Sequence, residues 1–297
     1  MTSRKTSIIT IANQKGGVGK TTCTVNLASA YAKMDKRVLV IDADAQANTT
    51  SHLNALELAE KQNRYLYDAI EKESSDLSQF VISTKFKNID CLAADARLKD
   101  IGRKYKGEIN QFHVLHPILK SDDIEKYDIV IIDTHPAFDT LPQSALSASD
   151  YYLIPLFPEE HSLQGLADQI KSANGVIKYQ NPMLMFLGCV ISRYDKNNAT
   201  HRKIEDRFRQ LAKESGFTVF STTIPVSNLI SASASQESPI HFFRHGSNIA
   251  DAYTALAGEI APQLKGKRKG RRYSMPDHQI VVAAIDNKDA FESEATL

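Results

Sequence analysis

The stretch Lys15-Gly16-Gly17-Val18-Gly19-Lys20-Thr21-Thr22 constrains the fold of this chain more than any other. It follows a β-branched run, Ser7–Ala12. It leads into a pattern with Val25, Leu27, Ala28 and Tyr31 apolar, which predicts a helix from near Thr22. Strand, glycine loop and helix in this order make a phosphate cradle. The glycines let successive backbone N–H groups curl around an anion, and the helix N-terminus adds its partial positive charge. Lys20 is placed to reach β- and γ-phosphates, and the Thr21 hydroxyl to join the shell of a Mg²⁺ ion. Eight such positions arise by chance on the order of 10⁻⁹ per site, which sets aside a mere glycine-rich turn. The strict phosphate-loop pattern wants glycine at position 14. Gln14 stands there, and a second lysine, Lys15, opens the loop.

Three further segments carry chemistry. Asp42-Ala43-Asp44-Ala45-Gln46-Ala47-Asn48 follows the second strand candidate, and acids at i and i+2 on a strand end point the same way. Ile129-Val130-Ile131-Ile132-Asp133 is a buried-strand pattern ending in an acid, which burial tolerates where a cation or water meets it. His135 sits in the Thr134-His135-Pro136-Ala137 segment that follows. Thr223-Ile224-Pro225-Val226-Ser227-Asn228 is an Ile-Pro strand end, which also suits an ordinary strand terminator. In this order the segments resemble the ParA/MinD family of deviant Walker-A ATPases, marked by KGGxGK[ST]. The resemblance runs over residues 6–262.

The resemblance implies ATP and Mg²⁺ as cofactors and a weak, partner-stimulated ATP hydrolase. Gly16, Gly17, Val18, Gly19, Lys20, Thr21 and Thr22 would bind the nucleotide, and Pro225 would pack on adenine. Thr21, Asp42 and Asp133 would serve the metal, and Asp44 would orient the attacking water. Lys15 would reach across a homodimer interface to the nucleotide of the partner subunit. Read from the residues alone, a solvated loop lysine is the lesser, competing role for Lys15, since an added cation beside phosphate would bind in cis anyway. The 42–48 segment departs from the family's DxDPQxN at Ala45, where proline is usual.

Strand candidates recur at Ser7–Ala12, Arg37–Ile41, Asn88–Leu92, Asp128–Ile132, Tyr151–Leu156, Leu184–Ser192 and Thr218–Ile224, with helical patterns between most of them. This predicts an α/β, P-loop NTPase-like fold: a mostly parallel central sheet with helices on both faces. Residues 1–264 read as a single ATPase domain. Residues 265–297 read as a flexible tail: six basic side chains in eight residues (Lys265–Arg272), a strand-like patch at Gln279–Ile285 and an acidic end. Residues 48–126 are less regular.

Charge and composition narrow what such an ATPase acts on. The net charge of +1 argues against binding DNA or anionic lipid through overall charge. The three cysteines are far apart, so no CxxC site is expected, and a reducing cytosol fits. The longest apolar stretch is too short to cross a membrane. Cluster cysteines of nitrogenase-type reductases, the CxxC of iron–sulfur scaffolds and the tyrosine cluster of bacterial kinases are missing. Only six residues precede the first strand, so no helix-turn-helix domain is expected there. DNA partition is the expected role, with non-specific DNA and a ParB-type centromere-binding protein as partners. Cytoplasmic, nucleoid-associated placement follows, and membrane association is not expected. A MinD-like membrane-recruited regulator and positioning of a protein cargo stand as alternatives. For DNA contacts, a helix over about 200–213 brings Arg202, Arg209 and Lys213 onto one side, flanked by Lys203 and Arg207, opposite Ile204, Phe208 and Leu211. Arg244 could join them. Asp206 falls in the row, so a mixed solvated face is the competing reading.

Overall fold

The computed structural model describes residues 6–264; the 265–297 tail and its strand-like patch lie outside them. One seven-stranded sheet organises the described residues, in the order β3-β4-β2-β5-β1-β6-β7. The strands are β1 (Ser7–Ile11), β2 (Val38–Ala43), β3 (Val81–Ser83), β4 (Ile89–Leu92), β5 (Ile129–Thr134), β6 (Tyr151–Leu156) and β7 (Met185–Ile191). All neighbours pair in parallel except β3 and β4, which are antiparallel. The expected mostly parallel sheet is what the chain forms.

β1, β2, β5 and β6 are buried along their whole length, because helices cover both faces. On one face Ile9, Ile11, Val38, Val40 and Ile131 meet helices Lys20–Lys33 and Asn248–Leu264. On the other, Ile8, Leu39, Ile41, Val130 and Ile132 meet Thr140–Ala148 and the short helices between residues 66 and 119. Ser162–Tyr179 and Ala199–Ser215 close that side over β6 and β7. The carboxyl ends of the parallel strands therefore open along one edge, where ligands bind in sheets of this kind.

Two elements differ from expectation. The edge strand β3 is three residues long, with only Ile82 buried, too short a run for a periodicity to register. Thr218–Ile224 is not a regular strand. It runs beside β7 through an isolated bridge, Cys189 to Val219, and single backbone bonds such as Phe220 N–H to Cys189 O at 2.9 Å. The backbone amides of Ser221 and Thr222 donate to the Glu259 carboxylate instead, at 2.9 Å each, so a continuous ladder cannot form. The close approach depends on Gly188. Its φ is +133°, and a Cβ there would lie 2.5 Å from the Thr218 carbonyl oxygen.

Candidate phosphate and metal site

The loop after β1 is held from several sides. The Asn13 side chain donates to Pro155 O at 2.8 Å and accepts from the Lys15 amide at 2.9 Å. Gln14, in place of the usual glycine, donates to Ser172 Oγ at 2.7 Å and so ties the loop to helix Ser162–Tyr179. Gly17 and Gly19 have φ of +74° and +90°, backbone turns that glycine adopts without strain and that make a nest of N–H groups. At the end of β7, the Ser192 hydroxyl donates to Val18 O at 2.6 Å, and Arg193 donates to Gly17 O at 3.2 Å. Arg193 also stacks over the Phe157 ring, 4.7 Å from its centroid. Helix Lys20–Lys33 starts directly after Gly19.

Lys20 is buried, and its ammonium donates to Lys15 O at 3.1 Å. Burial lowers its proton affinity, opposed by the charges of Asp133 and Asp44. A buried ammonium beside a nest of amides is suited to an anion.

The carboxylates sit next to it. Asp42 and Asp133 face each other in register on adjacent strands, and both are fully buried. Asp133 accepts from Thr21 Oγ1 and Thr49 Oγ1, each at 2.7 Å, and from Thr24 Oγ1 at 3.4 Å. Asp42 accepts from the Thr50 amide at 2.8 Å, the Thr50 hydroxyl at 2.7 Å and the Asp44 amide at 3.2 Å. Burial raises the proton affinity of both acids, and each acid also feels a neighbouring carboxylate. A divalent cation relieves such a pair. The residues therefore fit a phosphate-bound Mg²⁺. Among the described residues no cluster of three or more His, Cys, Asp or Glu could hold a metal ion.

Asp44 lies beyond the end of β2, half-buried, and accepts from the Gln46 amide at 2.9 Å. Asp42 and Asp44 are thus separated by environment: the first is locked inside, the second is on the rim. His135 bridges the two loops, with Nδ1 3.3 Å from Ala43 O and Nε2 2.9 Å from Asp139 Oδ2. Burial works against its protonation, but the bonds to Asp139 and Ala43 outweigh it, and the imidazole is raised above its ordinary value. Pro225 is half-buried beside Tyr194, whose carbonyl accepts from Val226 N–H at 3.0 Å. Lys15 forms an ion pair with Glu159 in the loop after β6.

The basic candidates fall elsewhere. Helix Ala199–Ser215 buries Ile204, Phe208, Leu211 and Ala212, as its periodicity predicts. Arg202, Lys203 and Lys213 are exposed and Arg207 is half-buried. Arg202 donates to Lys196 O at 2.7 Å. Arg209 is turned along the helix to Glu205 and onto the carbonyls of Phe220 and Ser221. Arg244 is exposed, outside that helix. Thr49 and Thr50 were not singled out from the sequence, although a pair of hydroxyls directly after the 42–48 segment was a signal. Ser192, Arg193 and Glu159 had none, because their partners lie more than 140 residues away.

A central parallel sheet with a lysine-bearing glycine loop after β1 and paired acids ending β2 and β5 defines a P-loop nucleotide-binding protein. Residues 6–186 match the family model described as "AAA domain". The sporulation initiation inhibitor protein Soj of Bacillus subtilis is 32% identical over 254 residues, covering 86% of this chain and 98% of Soj. The chromosome partitioning protein ParA of Caulobacter vibrioides is 29% identical over 270 residues, covering 90% and 98%. A putative plasmid partition protein of Borrelia burgdorferi, solved bound to AMPPNP, superposes with a TM-score of 0.71 at 27% identity, covering 86% of this chain and 99% of that one. The chain belongs to this AAA domain family and is a ParA/MinD-type P-loop ATPase.

Proposed function

We propose that this chain is a partition ATPase that binds DNA as an ATP-dependent homodimer and moves a plasmid or chromosome with a ParB-type partner. ATP and Mg²⁺ are its cofactors. The observation that carries the reading is the loop itself: Thr21 donates to Asp133, the buried Lys20 feels the Asp133 charge, and a second lysine, Lys15, stands at the loop's start. Lys20 and the loop amides hold the β- and γ-phosphates. Thr21 and Asp133 hold the metal, with Asp42 supporting them from the neighbouring strand. Mg²⁺, when bound, neutralises charge on the phosphates. Asp44, on the rim, orients the attacking water. Phosphoryl transfer needs such positioning rather than covalent help from the protein. Lys15 reaches the nucleotide of the partner subunit and makes dimerisation depend on ATP. Pro225 packs against the base.

Arg202, Lys203, Arg207, Lys213 and Arg244 supply the contacts to DNA phosphates. With a total charge of +1, single subunits bind DNA weakly, and pairing two weak patches turns ATP into the switch. Named relatives support this role: one is a chromosome partitioning protein and another a putative plasmid partition protein. The test is retention on non-specific DNA with ATP, with ADP and without nucleotide. Strong retention with ATP alone is expected; equal retention in all three states refutes the switch.

A further inference from the structure

The segment that holds Pro225 has no continuous ladder, so single contacts fix where it lies. Ile224 N–H donates to Ile191 O at 2.8 Å, and the backbone of Tyr194 brackets Pro225. The Tyr194 amide donates to Ile224 O at 2.9 Å, and its carbonyl accepts from Val226 N–H at 3.0 Å. Bonds along one edge leave a strand free to hinge about that edge. Two helices on opposite faces of the sheet stop the hinge. From helix Asn248–Leu264, the Glu259 carboxylate takes the amides of Ser221 and Thr222. From helix Ala199–Ser215, Arg209 donates through Nη1 to Phe220 O at 3.2 Å and through Nη2 to Ser221 O at 3.4 Å. The guanidinium is itself aimed. Glu205 Oε1, one turn back along the helix, accepts from Arg209 Nε at 2.8 Å and lies 2.7 Å from Nη2. Such a two-point contact sets the plane of the fork. The Glu205 side chain is 16% exposed, so water does little to loosen the pair. Contact with the same Glu205 carboxylate raises the Tyr194 phenol above its ordinary value. Glu205 thus stands between the two ends of the segment.

We infer that Arg209 and Glu205 are positioning residues for the nucleotide base, holding residues 220–226 where Pro225 meets it. The inference rests on the proposed packing of Pro225 against the base. Both side chains act through the Phe220 and Ser221 carbonyls rather than on the nucleotide. Arg209 therefore serves the nucleotide side of its helix, while Arg202, Lys203 and Lys213 face solvent. Without the pair the segment hinges, and only part of the population presents Pro225 at the right height. Apparent affinity falls by the fraction that remains competent. A segment competent one-third to one-tenth of the time binds about 3- to 10-fold more weakly. The phosphate loop lies outside this contact, so phosphate alone should bind as before.

The experiment titrates the dilute full chain, with Mg²⁺, against AMPPNP and separately against inorganic tripolyphosphate, which has the phosphates and no base. The variants are Arg209→Ala, Arg209→Lys, Glu205→Gln and Pro225→Ala. Arg209→Ala and Glu205→Gln are expected to weaken AMPPNP binding about 3- to 10-fold and to leave tripolyphosphate binding unchanged. Arg209→Lys keeps the charge without the fork and should fall between wild type and Arg209→Ala. Glu205→Gln keeps the side-chain shape and decides the matter if Arg209→Ala does not fold. Equal weakening of both probes marks a general lesion in the fold and overturns the positioning role. Unchanged AMPPNP affinity in Arg209→Ala and Glu205→Gln, with Pro225→Ala defective, overturns that role alone. Unchanged AMPPNP affinity in Pro225→Ala overturns the reading of Pro225 on which it rests.

Discussion

Replacing Gly188 by alanine tests how the sheet holds the segment that carries Pro225. At φ +133°, a non-glycine residue costs about 1–3 kcal/mol in backbone strain. The new Cβ would also meet Thr218 O at 2.5 Å and Thr218 Cβ at 2.9 Å, and the backbone carbonyl cannot swing aside as a side chain would. Moving it weakens two bonds, Cys189 N–H to Thr218 O at 2.8 Å and Phe220 N–H to Cys189 O at 2.9 Å. Each such bond is worth about 1 kcal/mol net. The sum is about 3–5 kcal/mol, which for a chain of this size lowers the melting temperature by roughly 10 °C. Thermal unfolding followed by circular dichroism reads the stability, and titration with a fluorescent ATP analogue reads the consequence for the Pro225 segment. A melting point within about 2 °C of wild type refutes the reasoning, because strain and clash would then be absorbed without cost.

Three other outcomes follow from the site and the core. Lys20→Ala should weaken ATP-analogue binding by roughly 10- to 100-fold in equilibrium titration, the value of a charge-assisted contact in a buried setting. Asp44→Ala should keep nucleotide binding but lose turnover by at least about 100-fold in a phosphate-release assay, as expected when the group that orients the nucleophile is removed. Burial pulls the imidazoles of His52 and His241 down to about 4. Unfolded histidines take up protons below about 6.5 while the folded ones resist, so this stability is fully present above pH 6.5 and is lost as pH falls towards 4. Each accounts for up to about 3 kcal/mol, and urea unfolding at pH 7, 6, 5 and 4 should show the decline shrink in His241→Gln.

The parts of the molecule that were legible in the sequence are those whose physics is local. Lys15 to Thr22 must follow a strand and precede a helix to work at all, so the motif fixed β1 and helix Lys20–Lys33 together. The run Ile129–Ile132 could only be a strand buried on both faces. Thr218–Ile224 misled for the complementary reason. Its β-branched residues favour an extended chain, which it has, but whether a ladder forms depended on Glu259, 37 and 38 residues away, competing for two amides. Arg209 likewise looked like a surface charge until the carbonyls of Phe220 and Ser221 arrived beside it. The clamp of Ser192 and Arg193 on the phosphate loop is closed by topology, since β7 comes to the loop's flank only after β6 has paired with β1.

That same topology sets a schedule for synthesis. Of the described strands β1 is made first, yet both its neighbours are made late: β5 begins at Ile129 and β6 at Tyr151. β2 cannot stand in, because it too pairs with β5 rather than with β1. A nascent chain ending before about residue 130 therefore leaves β1 with no parallel partner and β2 with β4 alone. The phosphate loop is made before six of the seven described strands, and the Ser192 hydroxyl that secures it arrives 174 residues after Val18. Contacts of such sequence separation fold slowly, because loop closure must come before any of them forms. Truncations upstream of β6 leave the β1 edge open and should yield aggregates rather than small working ATPases.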